Sequence, residues 1–279
     1  MGRLYLPPHV LVAVALLAAL GALLTTLVRP ASGPEPAAAA PAPVASRPAV
    51  EPQPAAFLTA APSPPSAAEP EPAPVPANPG RLIVRPRAGG QVVVRARPRG
   101  PVVARLGVRT EFGSPTTLLV SERRGRWLGV VTTHVPNGRL GWVDSRADAL
   151  ATSTTRVRVT IDLSARRLVV RRGDRVLRRI TVGIGRPSSP TPVGRFAVTD
   201  KLPGSRYGSY YGCCILALSA HQPNLPAGWT GGDRIAVHGT NDPGSIGAAA
   251  SAGCPRARDA DLRYLMRVVP LGAPVTVRV

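Results

Sequence analysis

Few side chains in this sequence can make and break covalent bonds. Three cysteines occur, Cys213, Cys214 and Cys254, alongside four histidines, His9, His134, His221 and His238. A thiol becomes a nucleophile when a base takes its proton, and near neutral pH that base is usually an imidazole. His9 borders a long apolar run and His134 lies in a separate strand-rich stretch, which leaves His221 and His238 as partners for a thiol. Cys254 closes the string Ser251-Ala252-Gly253-Cys254, just ahead of a helical pattern. Oriented backbone N–H groups at such a place lower a thiol pKa and can hold an oxyanion. Gly253 lets the chain turn tightly and leaves room for a substrate. His238 ends a strand pattern and is followed by turn formers, Gly239 to Pro243. The fifteen residues between His238 and Cys254 carry little specificity by themselves. Neighbouring cysteines have backbone geometry poorly suited to bridging one another. Cys213 and Cys214 are therefore expected to fill a strand as apolar side chains, with a bridge to Cys254 as the alternative, and His221 is expected to be structural or at a rim.

These groups need a frame, and the sequence around them reads as mainly β. RVRVTIDL, RRLVVRR and RVLRRITVGIG, between residues 156 and 185, are strands joined by turns, and RIAVHG (234–239) is another. DADLRYLMRVV (259–269) places Leu262, Leu265, Met266 and Val269 at i, i+3, i+4 and i+7, which predicts one amphipathic helix with Asp259 at its N-cap. PVTVRV closes the chain as a strand. Residues 81–148 carry short alternating runs such as RLIVRPR, QVVVRAR and RWLGVVT, separated by Gly, Pro and Asn-Gly turns, and predict a small β-barrel.

Two resemblances rest on these strings. VHGTNDPGSIGAAASAGCPR (237–256) resembles the signature of the L,D-transpeptidase (YkuD-type) catalytic family, a His-Gly followed by Ser/Thr-His-Gly-Cys and then Asn or Arg. TPVGRF (191–196) and YYGCCILALS (210–219) fit the same family. The resemblance spans residues 156–279 and implies a β-sandwich-like catalytic domain. It assigns Cys254 as nucleophile on the carbonyl between the third stem residue and D-alanine of a peptidoglycan tetrapeptide. His238 is the base and the Gly239 carbonyl its orienting partner. D-alanine leaves, a thioester remains, and the side-chain amine of another stem's third residue resolves it. By the same resemblance the N–H groups of Ala252, Gly253 and Cys254 form the oxyanion hole, and Ser251 and Arg256 contact substrate, Arg256 through a carboxylate. The chain departs from the family at Ala252, where histidine is usual, and at Pro255, where an aliphatic residue is typical. If only the backbone N–H at position 252 matters, alanine serves equally well. The rival readings are a non-catalytic wall-binding protein with a degenerate catalytic fold, and a hydrolase that resolves the thioester with water. WLGVVTTHVPNGRLGWVD (127–144) resembles bacterial SH3-like domains, which places such a domain at 81–148.

The remainder of the chain sets a compartment. Val10 to Val28 is an almost unbroken apolar run flanked by Arg3 and Arg29. About 20 helical residues cross a bilayer core, so this length favours an uncleaved membrane anchor over a removed signal. Residues 1–9 are then cytoplasmic, and the rest lies on the extracytoplasmic, cell-wall side. Residues 29–80 are nearly all Ala, Pro, Ser and Glu and predict a disordered linker. Such a spacer holds a catalytic domain away from the membrane and inside a wall. Three cysteines in an exported chain leave at least one thiol free or paired between molecules, and a free one favours a nucleophile. The net charge is +20, from 35 basic residues of which Lys201 alone is lysine, against 15 acidic ones. No basic block is interleaved with aromatics as single-strand binders require, and export argues against nucleic acid. Anionic lipid head groups or wall polymers are the expected neighbours. No metal or organic cofactor is expected, for want of a ligand cluster in the sequence.

Overall fold

The computed structural model describes residues 80–279. The expected membrane span at 10–28, the cytoplasmic residues 1–9 and nearly all of the linker lie outside these residues. No helix among the described residues is long and apolar enough to cross a membrane.

The first half of the described chain forms β1 (Arg81–Pro86), β2 (Val92–Arg95), β3 (Val102–Leu106), β4 (Leu118–Arg124), β5 (Trp127–Val131), β6 (Gly141–Asp144) and β7 (Leu150–Thr155). They pair in the order β3-β2-β6-β5-β4-β1-β7. Alternation in these strands turns Val84, Val92, Val94, Leu128, Val130 and Val143 onto one shared core. β7 falls where the sequence left a gap between two units. Its residues, LATSTT, have little apolar patterning, and β1 recruits it through a six-residue antiparallel ladder from Arg81↔Thr155 to Pro86↔Leu150. Only Arg156 then separates β7 from the next strand.

The second half comprises β8 (Val157–Asp162), β9 (Arg167–Arg172), β10 (Arg175–Thr181), β11 (Ile184–Gly185), β12 (Gly194–Pro203), β13 (Cys214–His221), β14 (Arg234–His238), β15 (Ala249–Ser251), α1 (Asp259–Val268) and β16 (Pro274–Arg278). Seven of these strands form a mixed sheet, β10-β9-β8-β16-β12-β13-β14, while β11 and β15 pair in parallel. The inward positions Val159, Ile161, Leu168, Val170, Val275 and Val277 form the largest core, onto which α1 lays Leu262 and Leu265, both 0% exposed. The expected cap is absent: Arg258 holds the N-cap position without a side-chain bond. Asp259 lies inside the first turn, and its Oδ1 accepts the Cys213 N–H at 3.0 Å. At the other end Lys201 Nζ donates to the Met266 carbonyl at 2.9 Å, a cation where the helix dipole favours one.

The two halves are packed together. Ile83, Leu119 and Val131 close over Ala197 of β12. Asn137 Nδ2 donates to the His221 carbonyl at 2.7 Å, and its Oδ1 accepts the His221 N–H at 2.9 Å. The Thr110 hydroxyl donates to the fully buried Asp200.

Candidate active site

β13 and β14 build the floor of a cleft of about 130 Å³ that contains both His238 and Cys254. His238 is the last residue of β14, pairs with Ile215, and is 0% exposed. Its Nδ1 lies 2.5 Å from the carbonyl oxygen of Gly239. A carbonyl can only accept, so Nδ1 carries the proton and Nε2 is the basic nitrogen. Nε2 is buried and has no hydrogen-bond partner. Burial pushes the imidazole pKa down to about 4, the Gly239 bond opposing it and the Arg256 charge adding to it. The ring is therefore neutral at pH 7, with the Nε2 lone pair unpartnered.

Cys254 is the free cysteine of the described chain. Its Sγ accepts the Ala236 N–H at 3.4 Å and lies 3.9 Å from the Arg234 carbonyl. No hydrogen bond joins Sγ to His238. Burial pushes the thiol pKa up, against the smaller opposing effects of the Ala236 N–H and Arg256. The sequence predicted the reverse, a thiol acidified by the helix that follows. α1 begins only at Asp259, and Pro255 and Arg256 lie between in a bridge to Gly183 and His238. The thiol receives its N–H from β14 and not from the helix. In this resting geometry both groups are neutral and no hydrogen bond joins them. Such bonds often tighten only once substrate is bound.

The loop of Ser251, Ala252, Gly253 and Cys254 is held by three side chains. Ser251 Oγ accepts the Gly253 N–H at 3.1 Å. Thr191 Oγ1 donates to the Gly253 carbonyl at 2.7 Å and accepts the Gly185 N–H at 2.9 Å. Gln222 Nε2 donates to the carbonyls of Ala252 at 3.1 Å and Pro190 at 3.0 Å. Gly253 adopts φ +121°, and a Cβ there would overlap Gln222 Nε2, so only glycine fits. Of the three expected oxyanion donors, Gly253 is thus committed to Ser251, while the N–H groups of Ala252 and Cys254 have no protein acceptor among the described residues.

Two expected substrate contacts are placed elsewhere. Ser251 is 1% exposed and shapes the loop from behind. Arg256 is 7% exposed and does not line the cleft. Its guanidinium donates to Tyr210 Oη at 2.5 Å, stacks 4.8 Å from that ring's centroid and approaches Asp242 at 4.0 Å. Its charge helps to hold the His238 pKa down.

Cys213 and Cys214 are bonded to each other, against the expectation of free apolar fillers. The Cys214 carbonyl accepts the Gly239 N–H at 3.0 Å, next to His238, and the Cys213 carbonyl accepts the Gly204 N–H at 2.9 Å. His221 does not line this cleft and is held structurally, its Nδ1 2.9 Å from Asp233 and its Nε2 2.8 Å from the Thr133 carbonyl.

Several lining residues escaped the sequence reading. Tyr210 and Tyr211 set their rings 5.5 and 5.0 Å from the His238 ring. Between β13 and β14, Leu225 and Trp229 rise over the cleft, 41% and 38% exposed. From the first half of the chain Phe112 reaches the same cleft, edge-on to Tyr207 at 6.5 Å. Thr191 and the tyrosine pair did stand in strings that resembled the family; nothing marked Gln222 or Phe112.

The chain is 30% identical over 121 residues to the candidate L,D-transpeptidase YkuD of Bacillus subtilis (strain 168), which covers 43% of this chain and 64% of that protein. Its Bacillus licheniformis namesake matches at 30% over 122 residues with the same coverage. The chain thus spans a little under two thirds of the length of these curated relatives. A solved L,D-transpeptidase from Mycobacterium smegmatis aligns over 67% of this chain and 99% of its own, at 19% identity and a TM-score of 0.38, too loosely to bear on function. The family model of YkuD, the L,D-transpeptidase catalytic domain, matches residues 156–277, a stretch that contains His238, Gly239, Thr191, Gln222 and Cys254.

Proposed function

We propose that this chain is a peptidoglycan L,D-transpeptidase that works through a Cys254 thioester. One observation carries the reading: a buried neutral imidazole, with Nδ1 committed to Gly239 and Nε2 unpartnered, shares a cleft with the free thiol. That is what a cysteine acyl transfer needs, a base with one defined lone pair and a thiol that is silent until the two meet. Cys254 Sγ attacks the carbonyl between the third stem residue and D-alanine as its proton passes to His238 Nε2. The free N–H groups of Ala252 and Cys254 receive the developing oxyanion. The imidazolium gives its proton to the departing D-alanine amine, leaving the thioester. The side-chain amine of a second stem's third residue then attacks, His238 takes its proton, and a third-to-third cross-link forms as the thiol is restored. Ala252 is compatible with this, because position 252 contributes backbone: its carbonyl is tied by Gln222 and its N–H is free. The flanking tyrosines and Trp229 exclude water from the thioester, which favours amine over hydrolysis.

The same reading gives the chain a membrane anchor at residues 10–28, a Pro/Ala spacer and a wall-side catalytic unit. Its support is the length of the apolar run and the composition of residues 29–80. The β1–β7 unit is proposed as SH3-like on the strings of residues 127–144.

The test is intact-protein mass spectrometry of the full chain in detergent. Wild type and Cys254→Ala are each incubated with disaccharide-tetrapeptide and, separately, with a carbapenem. A covalent adduct on wild type alone, with dimer formed from the tetrapeptide, is the expected result. Absence of any adduct on folded, reduced protein sinks the catalytic reading and leaves a wall-binding module. Tripeptide without dimer makes it a hydrolase.

A further inference from the structure

The outer face of the catalytic sheet is covered unequally. Over β12 it is closed by Ile83, Leu119 and Val131 of the N-terminal unit. Over β16, β8, β9 and β10 nothing among the described residues packs on it. The inward residues of those strands are the valines, isoleucine and leucine of the main core, so the alternate positions point out.

The ladder registers sort these outward positions into rows. Arg158 stands opposite Arg171. Thr160 stands opposite Val169 and Thr276, with Arg179 beyond Val169 and Arg195 beyond Thr276. Arg167 and Arg278 flank Asp162. Six arginines therefore share the face with one carboxylate, and Arg278 already holds that carboxylate at 2.9 Å. Arg158 reaches Asp174 on the next turn at 3.6 Å. Arg167, Arg171, Arg179 and Arg195 form no ion pair among the described residues. Like charges directly opposite one another weaken a ladder, so packing gives no reason for Arg158 to face Arg171.

The face is also shaped. Two depressions of about 240 and 550 Å³ run along it and share Arg158, Thr160 and Thr276. Arg81 and Ser121 of the N-terminal unit wall one side of the first. A walled trough admits a strand of polymer where a flat bilayer would rest on its rim. Arg167 and Arg171, four residues apart on β9, stand about 13 Å apart along the strand, and each arginine fork can take one phosphate. Base stacking needs exposed rings, and the ring lining the trough, Phe196, is only 2% exposed.

We infer that this trough binds a linear polyol-phosphate, a phosphodiester polymer with one negative charge per repeat and no bases. Such a polymer would hold the chain against an anionic matrix while the cleft at β13 and β14, on the same sheet, stays open to its own substrate. The inference is independent of the catalytic reading, because its readout is binding.

The experiment measures fluorescence anisotropy of labelled poly(glycerol phosphate) titrated with the full chain in non-ionic detergent. If about four phosphates are neutralised, affinity falls about 50-fold between 50 and 200 mM salt. Replacing Arg167, Arg171, Arg179 and Arg195 together by Gln is expected to weaken binding at least tenfold. Replacing Arg87, Arg97, Arg139 and Arg146 by Gln removes the same charge from the N-terminal unit and should change affinity less than threefold. Circular dichroism and thermal midpoints confirm that both variants are folded. Equal losses in the two variants overturn the site in favour of net charge alone. Overturning it equally would be tighter binding, through the same four arginines, to single-stranded DNA of matched phosphate number or to vesicles containing phosphatidylglycerol.

Discussion

His238 is where burial and chemistry meet most directly. An imidazole with a pKa of about 4 in the folded chain, against 6.5 when free, refuses a proton that the unfolded chain accepts. Between those two values the unfolded state binds more protons, so stability falls as pH is lowered through the window and is fully present above it. This one group should cost about 2 kcal/mol between pH 7 and pH 5. Urea unfolding of wild type and His238→Gln at both pH values checks this. The variant is expected to lose less stability on acidification, and an unchanged pH dependence would show that the ring is not held neutral. Cys254 and His238 were singled out in the sequence by the strings around them, and the fold brings both to one cleft. Their electrostatics were not legible there. The thiol pKa is set by burial under β14, a strand brought beside Cys254 only by folding, while sequence proximity to α1 pointed the other way. Ser251 and Arg256, assigned to substrate by the resemblance, are buried and outside the cleft lining, a placement that a motif string does not carry.

The strands were legible wherever alternation was strong, as in VRVTID and RLVVRR, whose inward residues are the core residues observed. β7 was not, since LATSTT owes its conformation to its partner β1 rather than to its own pattern. The helix was placed within a residue of its observed end, but Asp259 was drawn from the cap to serve the Cys213 N–H. One polar element joins the halves more closely than any sequence pattern announced. The Asn137 side chain mimics a strand by bonding both the N–H and the carbonyl of His221. Asn137→Ala removes both bonds and exposes that backbone to water. At roughly 0.5–1.5 kcal/mol per bond it should destabilise the chain by about 1–3 kcal/mol. A thermal midpoint within a degree of wild type would show that the clamp contributes nothing in solution.

Across the whole molecule, one residue links β7 to β8, and a shared apolar cluster and buried polar contacts cross between the halves. The two sheets should therefore melt as one cooperative unit. Scanning calorimetry of the full chain is expected to give a single transition whose calorimetric and van't Hoff enthalpies agree. Two resolved transitions would mean that the sheets are independent neighbours. The sequence marked two units, at 81–148 and 156–279, but a change of strand spacing cannot reveal how much surface their boundary buries.

Phe112 has a consequence for anyone who would treat the catalytic segment as portable. The residue belongs to the first sheet's loop, yet its ring forms part of the cleft wall beside Tyr207. A chimera that moved residues 156–279 onto a foreign module would carry the nucleophile, the base and the loop that holds them, and would leave one side of the doorway behind. In the proposed transfer both halves would shape the entrance for the acceptor amine, so drift in the loop around Phe112 would retune acceptor choice without touching His238 or Cys254.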